Sequence, residues 1–161
     1  MTNKIVEDIQ LLKNVCEPCE PGESKDIVEK LFLTLSAADS GIGLAANQIG
    51  IAKRVCVVNV REPIALINPK IIGAFGKIMF DEGCLSFPEQ TVRTLRSSKI
   101  LVEADNFPQP REFGSKDLND FESLLECICV QHEIDHLDGL TMFDREFRGN
   151  FNNMEELENK E

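Results

Sequence analysis

Residues 119–137 constrain the fold of this chain more than any other segment. Their centre, residues 124–130 with the sequence LLECICV, is apolar around almost the whole circumference of a helix. Such a pattern indicates a helix buried within a core rather than one lying on its surface. Asn119 with Glu122 resembles a capping box, and Gly139 lies just past the end. We therefore predict a central helix around which the rest of the chain packs.

Shorter apolar runs predict the elements around this helix. Apolar residues at intervals of three and four predict an amphipathic helix over residues 25–38, with Ser24 as a candidate cap. Runs rich in β-branched residues predict paired strands over residues 55–60 and 64–67, a strand that begins at Lys70, and another over residues 99–103. Because no regular βαβ alternation is present, we expect an α+β fold with mixed or antiparallel sheets around the central helix.

Length and charge narrow the class of protein. A chain of 161 residues without repeats or a linker predicts a single catalytic domain over residues 1–150, followed by a short acidic tail over residues 151–161. No apolar run approaches the roughly 20 residues that cross a bilayer, and the first residues lack an apolar signal core. We therefore expect a cytoplasmic protein without membrane contact. A net charge of −11 argues against direct nucleic-acid binding, which needs clustered Lys and Arg.

Both histidines of the chain lie inside the predicted buried helix, in the sequence QHEIDH over residues 131–136. A spacing of four places the imidazoles of His132 and His136 one turn apart on one face, where both can bind one metal ion. Glu133 follows the first histidine, and its carboxylate can take a proton from a water activated by that ion. The pattern indicates a metal-dependent hydrolase.

The residues leave the third ligand open. A zincin-type endopeptidase would use a downstream carboxylate, for which Asp144, Glu146 and acids of the tail are available. Cys84 is the alternative, because it lies in a turn-like sequence, DEGCLSFP over residues 81–88, where a thiolate can face a metal. A third hypothesis, from another class, is a non-catalytic binding module whose metal only stabilises the fold.

Three segments resemble the signature motifs of the peptide deformylases: GIGLAANQIG over residues 41–50, EGCLS over 82–86 and QHEIDHLDG over 131–139. They follow one another in the order and at the spacing of that family, and the resemblance extends from about residue 25 to about residue 145. It implies a metal-dependent hydrolase that removes the N-formyl group from the initiator methionine of nascent polypeptides and releases formate.

The resemblance also implies roles for the matching residues. One divalent metal ion, natively Fe(II) and in some preparations Ni, Co or Zn, would be bound by Cys84, His132 and His136. Catalysis would use Glu133 as general base and then general acid, with the Gln48 side chain and the Leu85 backbone N–H as donors to the oxyanion. The substrate would be bound by Ile42, Gly43, Gly83, Leu125, Ile128 and Cys129, and the small size of Gly43 would let the substrate backbone approach closely.

The remaining cysteines and the tail carry weaker signals. Cys16 and Cys19 have the spacing of a metal knuckle or redox pair, but no second pair follows, so we interpret them as structural. Cys56 and Cys127 fit small buried apolar positions. Thr91 stands where the family often has a basic residue, which puts one substrate contact in doubt. The acidic tail gives no support to ribosome association, which the family would otherwise suggest.

Overall fold

The computed structural model describes residues 3–149. It contains three α-helices, at Ile9–Leu12 (α1), Ser24–Ala37 (α2) and Phe121–Leu137 (α3). Eight strands lie at Gly43–Ala45 (β1), Val55–Asn59 (β2), Pro63–Ile67 (β3), Lys70–Phe75 (β4), Ile78–Cys84 (β5), Phe87–Arg96 (β6), Lys99–Glu103 (β7) and Arg111–Gly114 (β8). Two 3₁₀ helices lie at Ala46–Ile49 and Met142–Arg145. The predicted acidic tail, residues 151–161, lies outside the described residues.

The strands form three antiparallel groups. Two are three-stranded sheets, with the orders β1-β2-β3 and β4-β7-β8, and the third is the hairpin of β5 and β6. Helix α3 packs against β1, β2 and β8, while α2 packs against β1 and β2. This arrangement confirms the predicted α+β fold with a central helix, and it confirms the pairing of residues 55–60 with residues 64–67.

Strand β2 is covered on both faces. Its even-numbered residues Cys56 and Val58 join the core cluster that includes the buried side of α3. Its odd-numbered residues Val55 and Val57 join the cluster beneath α2. Because successive side chains of a strand point to opposite faces, a strand between two helices needs apolar residues at every position. The continuous run VCVV over residues 55–58 follows from this position.

Helix α3 is enclosed as predicted, and every residue from Glu126 to Leu137 is buried. Several of its polar groups have partners on neighbouring parts of the chain. The Gln131 amide exchanges two hydrogen bonds with the Ser97 backbone, at 3.1 and 2.9 Å, and the Asn47 amide donates to the His136 carbonyl at 2.7 Å. These bonds fix the rotation and height of α3 against the sheets, and with them the two histidines.

Both predicted helix caps are wrong by one residue. Asp120, not Asn119, caps α3, and its carboxylate accepts a hydrogen bond from the Ser123 N–H. Ser24 is the first residue inside α2 rather than its cap, and Glu23 precedes that helix without a side-chain capping bond. Neighbouring residues of capping type differ little in sequence, so the backbone geometry decides which one acts.

No helix within residues 3–149 is both long enough and apolar enough to cross a membrane. This agrees with the hydropathy of the sequence.

Candidate active site

A cleft of about 590 Å³ opens between β1, the β5–β6 hairpin and α3. Eleven of the twelve residues that the sequence analysis assigned to the site line this cleft: Ile42, Gly43, Gln48, Gly83, Cys84, Leu85, Leu125, Ile128, Cys129, His132 and Glu133. The twelfth, His136, is fully buried directly behind it. Segments separated by up to about ninety positions in sequence therefore meet at one place.

Cys84 ends β5, and its thiol faces the two histidines of α3. Its Sγ lies 3.4 Å from His136 Nε2, which lies 3.2 Å from His132 Nε2. The three candidate ligand atoms all fall within 4.8 Å of one another. A tetrahedral ion with bonds of roughly 2.0–2.3 Å holds its ligand atoms roughly 3.3–3.6 Å apart. The three side chains therefore fit a divalent metal, and two of them, Cys84 and His132, line the cleft.

Glu82 orients the first of the two histidines. Its Oε1 lies 2.8 Å from His132 Nδ1, which leaves Nε2 of that ring turned toward Cys84. Burial alone would raise the pKa of Glu82, but hydrogen bonds from His132 and Arg96 outweigh it and lower that pKa to about 2. Glu82 is thus an ionised carboxylate that holds the imidazole with Nδ1–H as donor, which is the tautomer a metal-binding Nε2 requires.

A buried group of charged side chains surrounds Glu82. Arg96 donates to both oxygens of Glu82, at 2.6 and 3.0 Å, and to Asp135 at 2.6 Å, while Thr94 donates its hydroxyl hydrogen to Glu82. Arg145 reaches Asp135 from outside. This group was not predicted from the sequence. Its only signal was a carboxylate two residues before Cys84, on a strand that the sequence did not predict.

Glu133 lies deep in the cleft wall. Its Oε1 is buried and has no hydrogen-bond partner among the described residues, and the Cys129 thiol lies 3.9 Å from Oε2. Burial raises the pKa of Glu133 to about 7, against the lowering effect of His132. A carboxyl group with a pKa near neutrality, and with one oxygen unpaired toward a cleft, can both accept and return a proton.

Gly43 is required for a reason that the sequence analysis did not give. A Cβ at this position would lie 2.6 Å from Glu133 Oε2 and 2.6 Å from Cys129 Sγ. Glycine therefore makes room for the Glu133 carboxylate itself. The expected close approach of a substrate backbone remains a prediction.

The Gln48 side chain is fixed at both ends of its amide. Its Oε1 accepts a hydrogen bond from the Ala45 N–H at 2.9 Å, and its Nε2 donates to Ser86 Oγ at 3.1 Å. The same Nε2 lies 3.5 Å from Cys84 Sγ. An N–H donor is thereby held beside the candidate metal ligands without freedom to turn away. Ser86 was not among the predicted site residues.

The wall opposite these polar groups is apolar. Ile42, Leu125, Ile128 and Cys129 lie together, as the family resemblance implied, and Phe80 and Phe87 extend the apolar surface from the hairpin. Thr91 also lines the cleft, at the position where a basic residue was expected from the resemblance. The cleft therefore offers an apolar pocket directly beside the candidate metal ligands.

Asp144 and Glu146, the alternative candidates for the third metal ligand, contact other residues. Asp144 accepts hydrogen bonds from the Thr141 N–H and hydroxyl, and Glu146 pairs with Arg148. Neither belongs to the group of ligand atoms found within residues 3–149, which consists of Cys84 and the two histidines. Cys16 and Cys19, the predicted structural pair, are buried free thiols.

Comparison with known proteins agrees with this geometry. A family model described as polypeptide deformylase matches residues 3–152. A peptide deformylase of Hydrogenovibrio crunogenus is 39% identical over 140 residues, which cover 83% of this chain and 78% of the relative. One of Heliobacterium modesticaldum is 45% identical over 120 residues, covering 74% of this chain and 75% of the relative. The crystal structure of peptide deformylase from Thermotoga maritima superimposes with a TM-score of 0.80 at 32% identity, covering 91% of this chain and 99% of that one. The chain described here is a member of the peptide deformylase family.

Proposed function

We propose that this chain hydrolyses the N-formyl group of the initiator methionine of nascent polypeptides and releases formate. The observation that supports this function most directly is the convergence of a thiol, two imidazoles, a free carboxylate and a fixed amide donor on one apolar cleft. A structural metal site has no need of the last two groups, which argues against a non-catalytic binding module.

Peptide deformylases depend on a metal ion, and we propose that Cys84, His132 and His136 bind one divalent ion here. When bound, the ion supplies Lewis-acid chemistry, which acidifies water and polarises a carbonyl oxygen. We propose Fe(II) as the native ion, with Ni, Co or Zn replacing it in preparations, because a mixed thiolate and imidazole set suits several of these metals.

Glu133 performs the proton transfers. Its carboxylate takes a proton from the attacking water and later gives that proton to the departing amine. The unpaired Oε1 and the raised pKa, about 7, suit both steps. Gly43 and Cys129 lie against the other oxygen, Oε2, and help to enclose the carboxylate.

Gln48 and the Leu85 backbone N–H stabilise the charge that develops on the formyl oxygen. The Gln48 amide is already oriented by Ala45 and Ser86, so it loses little freedom when it donates. A donor aimed in advance at an oxyanion typically contributes about 3 kcal/mol to transition-state stabilisation.

The apolar wall of the cleft receives the methionine side chain. Ile42, Leu125, Ile128 and Cys129 form this wall, and Gly83 lies at its edge on β5. An unbranched thioether adapts to such a surface without a polar partner. We propose that this pocket selects formyl-methionine over shorter or charged first residues.

We further propose that residues 1–150 act as one catalytic domain. We propose that the protein works in the cytoplasm, without membrane or direct nucleic-acid contact. The acidic residues 151–161 are not expected to provide a basic surface for ribosome binding. The net charge of −11 supports the proposed absence of nucleic-acid and ribosome contacts, because phosphate surfaces repel an acidic protein.

The test is formate release from formyl-Met-Ala-Ser by protein that is purified and reconstituted without oxygen, in parallel with Fe(II), Ni(II) and Co(II). We expect formate with at least one of these ions, and no release of acetate from acetyl-Met-Ala-Ser, because the acetyl group adds a methyl at the reacting carbon. Absence of formate with all three ions would refute the proposed activity.

The variant Cys84→Ser separates the deformylase from an endopeptidase with a carboxylate as third ligand. We expect the variant to lose most of its metal or activity, whereas such an endopeptidase would keep its metal. Metal content by elemental analysis, measured together with formate release, distinguishes the two outcomes.

A further inference from the structure

We propose that Arg145 is a positioning residue for the metal ligands, which it reaches through a buried series of ion pairs that ends at His132. The inference rests on the metal site of the proposed function and concerns how firmly that site is held.

The series can be followed atom by atom. Arg145 donates from Nε to Asp135 Oδ2 at 3.0 Å and from Nη2 to Oδ1 at 2.9 Å. Asp135 Oδ2 also accepts from Arg96 Nη1 at 2.6 Å, and Arg96 donates with its other two nitrogens to Glu82. Glu82 in turn contacts His132 Nδ1 at 2.8 Å. Each step is a direct contact between side chains, so a disturbance at one end has a continuous path to the other.

The charges in this series balance only when Arg145 is included. Glu82 and Asp135 carry two negative charges, and both are buried. Arg96 supplies one positive charge, and Arg145 supplies the second. A buried charge without a partner is costly. Without Arg145, Asp135 would draw Arg96 toward itself, and Glu82 would lose part of the contact that fixes its position against His132.

The segment that carries Arg145 is held in place by its own contacts. Arg145 ends the 3₁₀ helix Met142–Arg145, in which Met142 is buried. Phe143 packs edge-on against Phe87 at 4.8 Å between ring centroids. Just beyond, the Phe147 N–H donates to the Arg93 carbonyl of β6 at 2.8 Å. The segment is thus attached to the β5–β6 hairpin, and the guanidinium needs little ordering to form both bonds.

Arg145 therefore links two parts of the site, the β5–β6 hairpin and helix α3. Its backbone belongs to a segment attached to the hairpin that carries Cys84, while its side chain holds Asp135, the residue beside His136 on α3. The guanidinium makes two hydrogen bonds to Asp135, and the planar fork of arginine matches both carboxylate oxygens.

The experiment measures metal loss. The Ni(II)-loaded parent and Arg145→Met are mixed with an excess of a chromogenic chelator, and the release rate is followed by absorbance. Mutation of the residues that hold metal-binding histidines typically lowers metal affinity by 10- to 100-fold. We expect metal release from Arg145→Met to be faster than from the parent by roughly 10-fold, the lower end of that range. Methionine keeps the length of the side chain and removes its charge and donors.

Two further variants separate positioning from general destabilisation. Arg145→Lys keeps the charge but cannot span both carboxylate oxygens, so its release rate should fall between those of the parent and Arg145→Met. Arg93→Met removes an equal charge from an exposed pair with Asp81, beside Glu82 but outside the buried series, and should release metal at the parental rate.

The Co(II)-loaded proteins give an independent reading of ligand geometry. We expect the visible absorption bands to differ from the parent in Arg145→Met and to be unchanged in Arg93→Met. Parental release rates and spectra in both Arg145 variants would overturn the inference. Failure of the parent itself to bind Ni(II) through Cys84 would instead contradict the proposed metal site, so the two failures are distinguishable.

Discussion

Glu133 is the residue on which the proposed chemistry depends most, and it lies beside the metal ligands without being one of them. Glu133→Gln keeps the volume of the side chain and removes its ability to accept a proton. We expect turnover of formyl-Met-Ala-Ser to fall by roughly 100- to 10,000-fold, the usual contribution of a general acid–base group. Metal content, measured by elemental analysis, should stay at the parental value.

The matched control for this prediction is Glu122→Gln, an equal change at an exposed position in the first turn of the same helix. It should leave turnover unchanged. Loss of metal from Glu133→Gln would place Glu133 among the ligands, and retained turnover would remove it from proton transfer.

The sequence predicted the side chains that line the cleft but not the buried charged group around Glu82. The spacing of His132, Glu133 and His136 already restricts what they can do, whereas Cys84 was assigned as a ligand through the family resemblance. Arg96 carries no such signal, because its importance comes only from the fold that places it between Glu82 and Asp135. A buried arginine is indistinguishable in sequence from an exposed one.

At the scale of single elements, the start of α3 affects how firmly the histidine-bearing helix is held. Asp120 caps this helix, and removing a capping carboxylate typically costs about 1 kcal/mol of folding free energy. We expect Asp120→Ala to lower the free energy of unfolding by about that amount, measured by urea denaturation of the metal-free protein.

Asn119→Ala is the natural comparison, since Asn119 was the cap that the sequence suggested. Its side chain lies outside the capping bond, and we expect a change well below that of Asp120→Ala. An equal loss of unfolding free energy in the two variants would show that the capping bond of Asp120 does not stabilise the helix.

The sequence did not predict the β5–β6 hairpin, nor the short elements α1, β1 and β8, and for the hairpin the reason is physical. A half-buried strand is recognised by apolar residues at alternate positions. In this hairpin the buried positions include Glu82, Thr94 and Arg96, which are polar because they hold the histidine. Because these buried positions are polar, the hairpin lacks the alternation of apolar and polar residues by which a strand is recognised in sequence. Strand β2, whose task is packing, was predicted nearly to its last residue.

At the scale of the whole molecule, the six cysteines differ sharply in exposure. Cys84 is half-buried, and the other five are buried free thiols. Burial raises the pKa of Cys16 to about 11 and that of Cys127 to about 12, and it also raises the pKa values of Cys19, Cys56 and Cys129. A thiol reacts as its thiolate, so these five should be slow toward alkylating reagents near pH 8.

We therefore expect the folded, metal-free protein to incorporate one equivalent of an alkylating reagent rapidly, at Cys84, and the metal-loaded protein to incorporate none. Mass spectrometry after a timed pulse measures both values, and denatured protein should take up six. Two rapidly labelled sites at Cys16 and Cys19 would contradict the structural interpretation of that pair.

The enclosure of β2 between two helices has a consequence for motion. Amide hydrogens in a strand covered on both faces exchange with solvent only when the whole fold opens, whereas less enclosed elements exchange through smaller and more frequent openings. The β5–β6 hairpin lies outside that enclosure and carries Cys84 on its edge strand. We therefore expect the amide hydrogens of β2 to be among the slowest to exchange, and a peptide can enter and leave the cleft while that interior stays closed.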